Sequence, residues 1–152
     1  MLKVCDNDEL EVMVNKCKGV YLFGAGKRLI ELNDDSSFNY LGEKVLGIID
    51  NSPSKQNSIL RVYNKEFCIK SIDYLCNFVN DDIIIFITPE HYEDILHQLT
   101  SNTIFENVTI VCLTHIQYVE VDKRSLAKTA TINSKGDEKI PKIIHYCWFG
   151  KK

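Results

Sequence analysis

The chain has 152 residues, 45% of them hydrophobic and 26% charged, the balance of one ordinary globular domain with a short appendage and enough length to bury a core unaided. A net charge of -3 with no block of lysine or arginine argues against nucleic acid or an anionic membrane surface as partner. No N-terminal apolar stretch resembles a signal peptide and no run approaches the roughly 18 apolar residues of a membrane span, so a cytoplasmic protein with no membrane span is expected.

In chain order, residues 6–18 follow an Asp-rich start that can cap a short helix carrying Leu10, Val12, Met13 and Cys17. An apolar run over about 19–23 predicts the first strand. It breaks into Gly24-Ala25-Gly26 and opens a helix with Leu29, Ile30 and Leu32 on one side. Asn33 to Ser37 weakens that helix, with a broken continuation through Phe38 and Leu41 to Gly42. Val45 to Ile49 is a second strand almost free of polar residues, as in a parallel sheet covered on both faces, and Asp50 and Asn51 close it. A polar loop to Ser58 follows. Phe67-Cys68-Ile69 is a weak third strand, and Ser71 caps a helix running to about Val79. Residues 82–87 form the fourth strand. Thr88 is then expected to cap a helix with Pro89 at its first position, and residues 108–113 form the fifth strand.

Strands alternating with helices at this spacing predict an α/β fold: a Rossmann-like open parallel sheet of about five strands, order 3-2-1-4-5, with helices on both faces. The expected domain covers residues 1–118. Residues 119–138 are polar and weakly periodic and are read as a linker, with one helical turn at most. Residues 139–152 begin a further strand that holds the only tryptophan, Trp148.

In such a sheet a ligand sits beyond the carboxyl ends of the strands where the order reverses, which brings the glycine loop opposite Thr88 with Asp50 alongside. Gly24 and Gly26 allow a tight turn and close approach, and the helix start behind them favours negative charge. Gly24, Ala25 and Gly26 are thus candidates to wrap a phosphate with main-chain N–H groups, Lys27 to neutralise it, and Asp50, with Asn51 and Thr88 beside it, to meet a ribose. Arg28 is expected to be solvated. The third glycine of a dinucleotide fingerprint would fall at position 29, where the chain has Leu29.

Other chemistry finds little support. Six cysteines without a C-x-x-C pair, mostly within apolar runs, read as reduced structural thiols. His91 and His97 are six apart, where two metal ligands on one helix face need four, so no metal site is expected. His115 reads as an ordinary surface or interface residue. Ser36 and Ser37 have no neighbouring base, and no catalytic residue is assigned.

Ile140-Pro141-Lys142-Ile143-Ile144-His145-Tyr146-Cys147-Trp148-Phe149-Gly150 resembles the opening strand of bacterial glycosyltransferases that build capsular polysaccharide, the family with a sugar-binding Asp-x-Asp motif. The resemblance implies that residues 139–152 start a truncated catalytic domain and that the parent enzyme transfers a sugar from a nucleotide donor. This piece alone is then expected to be inactive, with His145 linked to function only in the full-length protein. Tyr21 to Lys27 and Leu46 to Asn51 are similar to the small Rossmann-like domains of bacterial cell-surface sugar pathways, including those preceding sugar-amine acetyltransferases. That similarity implies a UDP-sugar as ligand. Three functions are thereby expected in competition: a non-catalytic nucleotide or nucleotide-sugar-binding domain, an NAD(P)-binding domain of a sugar-nucleotide dehydrogenase or epimerase, and a ligand-free assembly module that forms a homo-oligomer.

Overall fold

The structure is a computed structural model that describes residues 1–77 and 82–133, with side chains as far as residue 127. The chain divides into two compact units, Met1–Val121 and Asp122–Lys152. All that follows concerns the first, apart from the C-terminal part of the last helix.

The sheet is parallel throughout. Its strands are β1 (Leu2–Lys3), β2 (Gly19–Phe23), β3 (Val45–Ile49), β6 (Ile83–Ile87) and β7 (Thr109–Cys112), in the spatial order β1-β7-β6-β2-β3. Between β3 and β6 lies a separate antiparallel hairpin of β4 (Ile59–Val62) and β5 (Lys65–Cys68). Four strands occupy their expected places. The expected third strand does not join the sheet: it is half of the hairpin, and only Lys70 beyond it bridges to Ile49. The fifth position is filled by β1 at the opposite edge.

Alternation along the strands divides the core in two, since successive side chains of a strand point to opposite faces. Val20, Leu22, Ile84, Phe86 and Val111 pack with Leu10 and Val14 of α1 (Asn7–Lys16), Leu29 and Leu32 of α2 (Lys27–Asp34), and Ile116 of α5 (Leu113–Asn133). Tyr21, Phe23, Ile85, Ile87 and Ile110 pack on the other face with Leu75 of α3 (Ile72–Cys76) and Leu99 of α4 (Glu93–Thr100). This double covering is why β2 and β6 read as unbroken apolar runs, all five residues buried in each.

The helix ends explain where sequence and structure part. Asp6 caps α1 through a reciprocal box with Glu9, its side chain accepting from the Glu9 N–H at 2.8 Å. Thr88, expected to cap the helix after β6, does not. Its hydroxyl instead donates to the Gly24 carbonyl at 2.8 Å, and α4 begins only at Glu93, after Tyr92. Residues 119–133, read as linker, are helical within α5, which has no Gly or Pro to stop it between Leu113 and Asn133. The stretch 139–152 lies outside the described residues.

Phe86 is fully buried and tilted against Phe38 with ring centroids 6.5 Å apart. Phe86→Ala is expected to cost about 3–5 kcal/mol in urea unfolding, whereas Val12→Ala on the exposed side of α1 should change stability by less than about 0.5 kcal/mol.

Candidate functional site

Gly24 leaves β2 with φ of 110°, a conformation that a side chain resists. A Cβ there would stand 2.5 Å from the Cγ and Cδ of Pro89 and 2.9 Å from Thr88 Oγ1. The chain itself therefore demands glycine at 24. The Gly24 N–H donates to Ile49 O at 2.7 Å and the Thr88 N–H to Phe23 O at 2.9 Å, so the loop is hung between the ends of β3 and β6.

Gly26 differs in kind. It is the N-cap of α2 with φ −118° and ψ −168°, extended backbone open to any residue, and it offers α2 no side-chain cap. Among the described residues a Cβ there would meet only Lys55 Nζ, at 3.9 Å. The N–H groups of Lys27 and Arg28 behind it belong to the first turn, which no intrahelical bond satisfies.

Asp50 is buried, and its carboxylate is engaged by the chain. Oδ2 accepts from the Ala25 N–H at 2.7 Å and from Lys55 Nζ at 3.1 Å, while Oδ1 accepts from the Ser52 N–H at 2.8 Å. Burial by itself would raise this carboxyl, but the two N–H groups and the Lys55 ammonium outweigh it and hold Asp50 below the ordinary carboxylate value. One loop N–H assigned to a phosphate, that of Ala25, is thus taken by an internal anion. A carboxylate has about four acceptor positions, so one on Asp50 is left over.

These groups surround a cleft of about 240 Å³ at the carboxyl ends of β2 and β6, lined by Gly24, Gly26, Lys27, Arg28, Asp50, Lys55, Thr88 and the Pro89–His91 segment. Of the residues expected here, Ala25 and Asn51 do not line it: the Ala25 N–H is turned to Asp50, and the Asn51 amide donates to Gln98 Oε1 at 2.8 Å. Thr88 lines the cleft with its hydroxyl committed to main-chain carbonyls. Lys27 extends into solvent and pairs with Glu31 at 3.3 Å, an exposed pair that contributes little. Arg28 is held rather than solvated, donating from Nη1 to Glu31 Oε2 at 3.1 Å and from Nη2 to Gln117 Oε1. His115 is likewise held, by Tyr92. Lys55 and His91 were not among the expected ligands.

Among the described residues no group of three or more His, Cys, Asp or Glu side chains could hold a metal, and no helix is long and apolar enough to cross a membrane. The five described cysteines are free, with Cys5 and Cys112 buried and Cys68 exposed. The chain matches no model of a known protein family, and no curated protein matches it.

Two substitutions test this geometry. Gly24→Ala should cost at least about 2 kcal/mol through backbone strain and the collision with Pro89. Asp50→Asn should lose about 1.5–3 kcal/mol at pH 7, the worth of hydrogen bonds to a charged group. Because the folded-state value of Asp50 is depressed, its contribution is present above the unfolded carboxyl value near 3.9 and vanishes as pH falls through the lower folded one. The stability difference between wild type and Asp50→Asn, followed by urea unfolding, should therefore close below about pH 4.

Proposed function

We propose that residues 1–121 are a non-catalytic domain that binds the phosphate of a nucleotide or nucleotide-sugar at the start of α2, as the N-terminal domain of a glycosyltransferase of cell-surface polysaccharide synthesis. The observation that carries this proposal is the open face of Gly26. Among the described residues only Lys55 Nζ comes within 4 Å of where a side chain would start there, and that space lies over a helix start with no side-chain cap. A phosphate oxygen fits such a place by both hydrogen bonding and charge. The spare acceptor position of Asp50 is suited to one sugar hydroxyl. The link to a glycosyltransferase rests on the resemblance of residues 140–150 to that family's opening strand.

A cleft of about 240 Å³ suits a phosphate with its adjoining sugar better than a whole dinucleotide. Leu29, fully buried where a dinucleotide fingerprint needs glycine, argues further against NAD(P). A ligand-free assembly role is favoured by one observation, the closure of the Ala25 N–H by Asp50.

Isothermal titration of the 152-residue chain with UDP, UDP-glucose and NAD separates these readings. Uridine nucleotides should bind and NAD should not. Gly26→Ser should weaken uridine nucleotide binding at least tenfold by filling the open face, while its hydroxyl caps α2 and leaves thermal unfolding unchanged or slightly later. Absence of heat with all three ligands leaves the assembly role.

A further inference from the structure

A second cavity, of about 530 Å³, lies at the far end of α2 from the cleft, walled by Asn33 of that helix, residues from 39 to 43, and Arg61 to Asn64 of the β4–β5 hairpin. It shares no lining residue with the cleft, and its size is that of ordinary small-ligand sites, about 300–1,000 Å³.

The chain fixes the walls with its own bonds. The hairpin turns at Tyr63 and Asn64, both at positive φ (48° and 60°), a conformation unusual for a bulky aromatic residue. Asn33 holds the turn there, its Oδ1 accepting from the Tyr63 N–H at 2.6 Å. Tyr63 in turn lies against Gly42, where an added Cβ would stand 3.0 Å from the Tyr63 Cβ. Lys65 Nζ donates to the Gly42 carbonyl at 2.8 Å and ties the hairpin to the same segment. Helix, hairpin and residues 39–43 are thereby held together by contacts within the chain.

Four polar side chains of the lining take no part in that framework: Asn39, Glu43, Arg61 and Asn64. Among the described residues the two carboxamides and the guanidinium have no partner, although β4 sets Arg61 across from Glu66 of β5. Glu43 stands 3.9 Å from Lys65 Nζ, whose hydrogen bond goes to Gly42. A carboxamide donates and accepts side by side, as a pair of neighbouring hydroxyls does. A guanidinium donates to two adjacent oxygens, and a carboxylate accepts from hydroxyls. The one cation and one anion of the lining balance, so a phosphate would be opposed by Glu43 and an ammonium by Arg61. A neutral molecule rich in adjacent hydroxyls can use all four groups, with Tyr63 as an aromatic wall.

We propose that this cavity binds a neutral saccharide, its hydroxyls received by Asn39, Glu43, Arg61 and Asn64 beside the tip of the hairpin. The site is separate from the phosphate site of α2 and does not depend on it.

An NMR titration of the isotope-labelled 152-residue chain with glucose, galactose, N-acetylglucosamine and lactose tests this. At least one of these sugars should shift the amides of residues 39–43 and 61–64 saturably and leave residues 24–28 unmoved. Asn64→Gly suits the positive φ and drops the carboxamide. It should weaken the binding at least about fivefold, the worth of one hydrogen bond, while thermal unfolding stays unchanged or comes later. Asn39→Ala, at an exposed position, should weaken it likewise. No saturable shift with any of the four sugars, or binding that neither variant weakens, overturns the proposal. A stronger response to glucuronate or glycine than to the neutral sugars overturns it too, and assigns Arg61 to a carboxylate. Movement of residues 24–28 on adding UDP, or its absence, bears on the phosphate site alone.

Discussion

The Asp50 carboxylate is the constraint on which the cleft depends. It ends β3, yet it reaches the loop after β2 through Ala25, its own following turn through Ser52, and the polar loop beyond through Lys55. A buried charge is tolerated only when its acceptor positions are filled, and here backbone N–H groups fill two of them. The shape of the glycine loop is consequently set by the protein and does not wait for a ligand. On the proposed reading a nucleotide would meet a preformed turn in which the N–H groups of Gly24 and Ala25 are already spent.

That arrangement also decides where a phosphate can go. Two unit charges of like sign about 5 Å apart repel by about 3 kcal/mol at an effective dielectric of 20, so a phosphate over Ala25 would be opposed by Asp50. Over Gly26 it would lie beside Lys55, whose ammonium offsets that repulsion. The two glycines of the loop therefore have separate physical reasons. Gly24 is required by the backbone, whereas on the proposed reading Gly26 keeps open the space above α2.

Much of this was legible in the sequence. Unbroken apolar runs in β2, β3 and β6 announced a covered parallel sheet, and the Gly24–Gly26 break with Asp50 at the next strand end located the cleft. The hairpin escaped notice because its turn is Tyr63-Asn64, both at positive φ (48° and 60°), where an Asn-Gly pair would have signalled it. A two-residue strand such as β1 has no periodicity to read. Thr88 and Pro89 carry a helix-start signature that tertiary bonding overrides, since the hydroxyl finds better acceptors in the loop after β2 than in its own chain.

Lys55 and Thr114 illustrate the part that no local pattern could disclose. Lys55 sits in a stretch of serines, asparagine and glutamine and reads as solvated, and only the return of that loop to Asp50 gives it an electrostatic role. Thr114 falls at the junction of β7 and α5, where a hydroxyl in a first helical turn is unremarkable in sequence. Its significance is three-dimensional: α5 starts without a loop at Leu113, directly after Cys112, so Thr114 is carried under the same sheet edge that α2 leaves. The abrupt strand-to-helix junction thus goes with a buried hydroxyl that has no partner among the described residues.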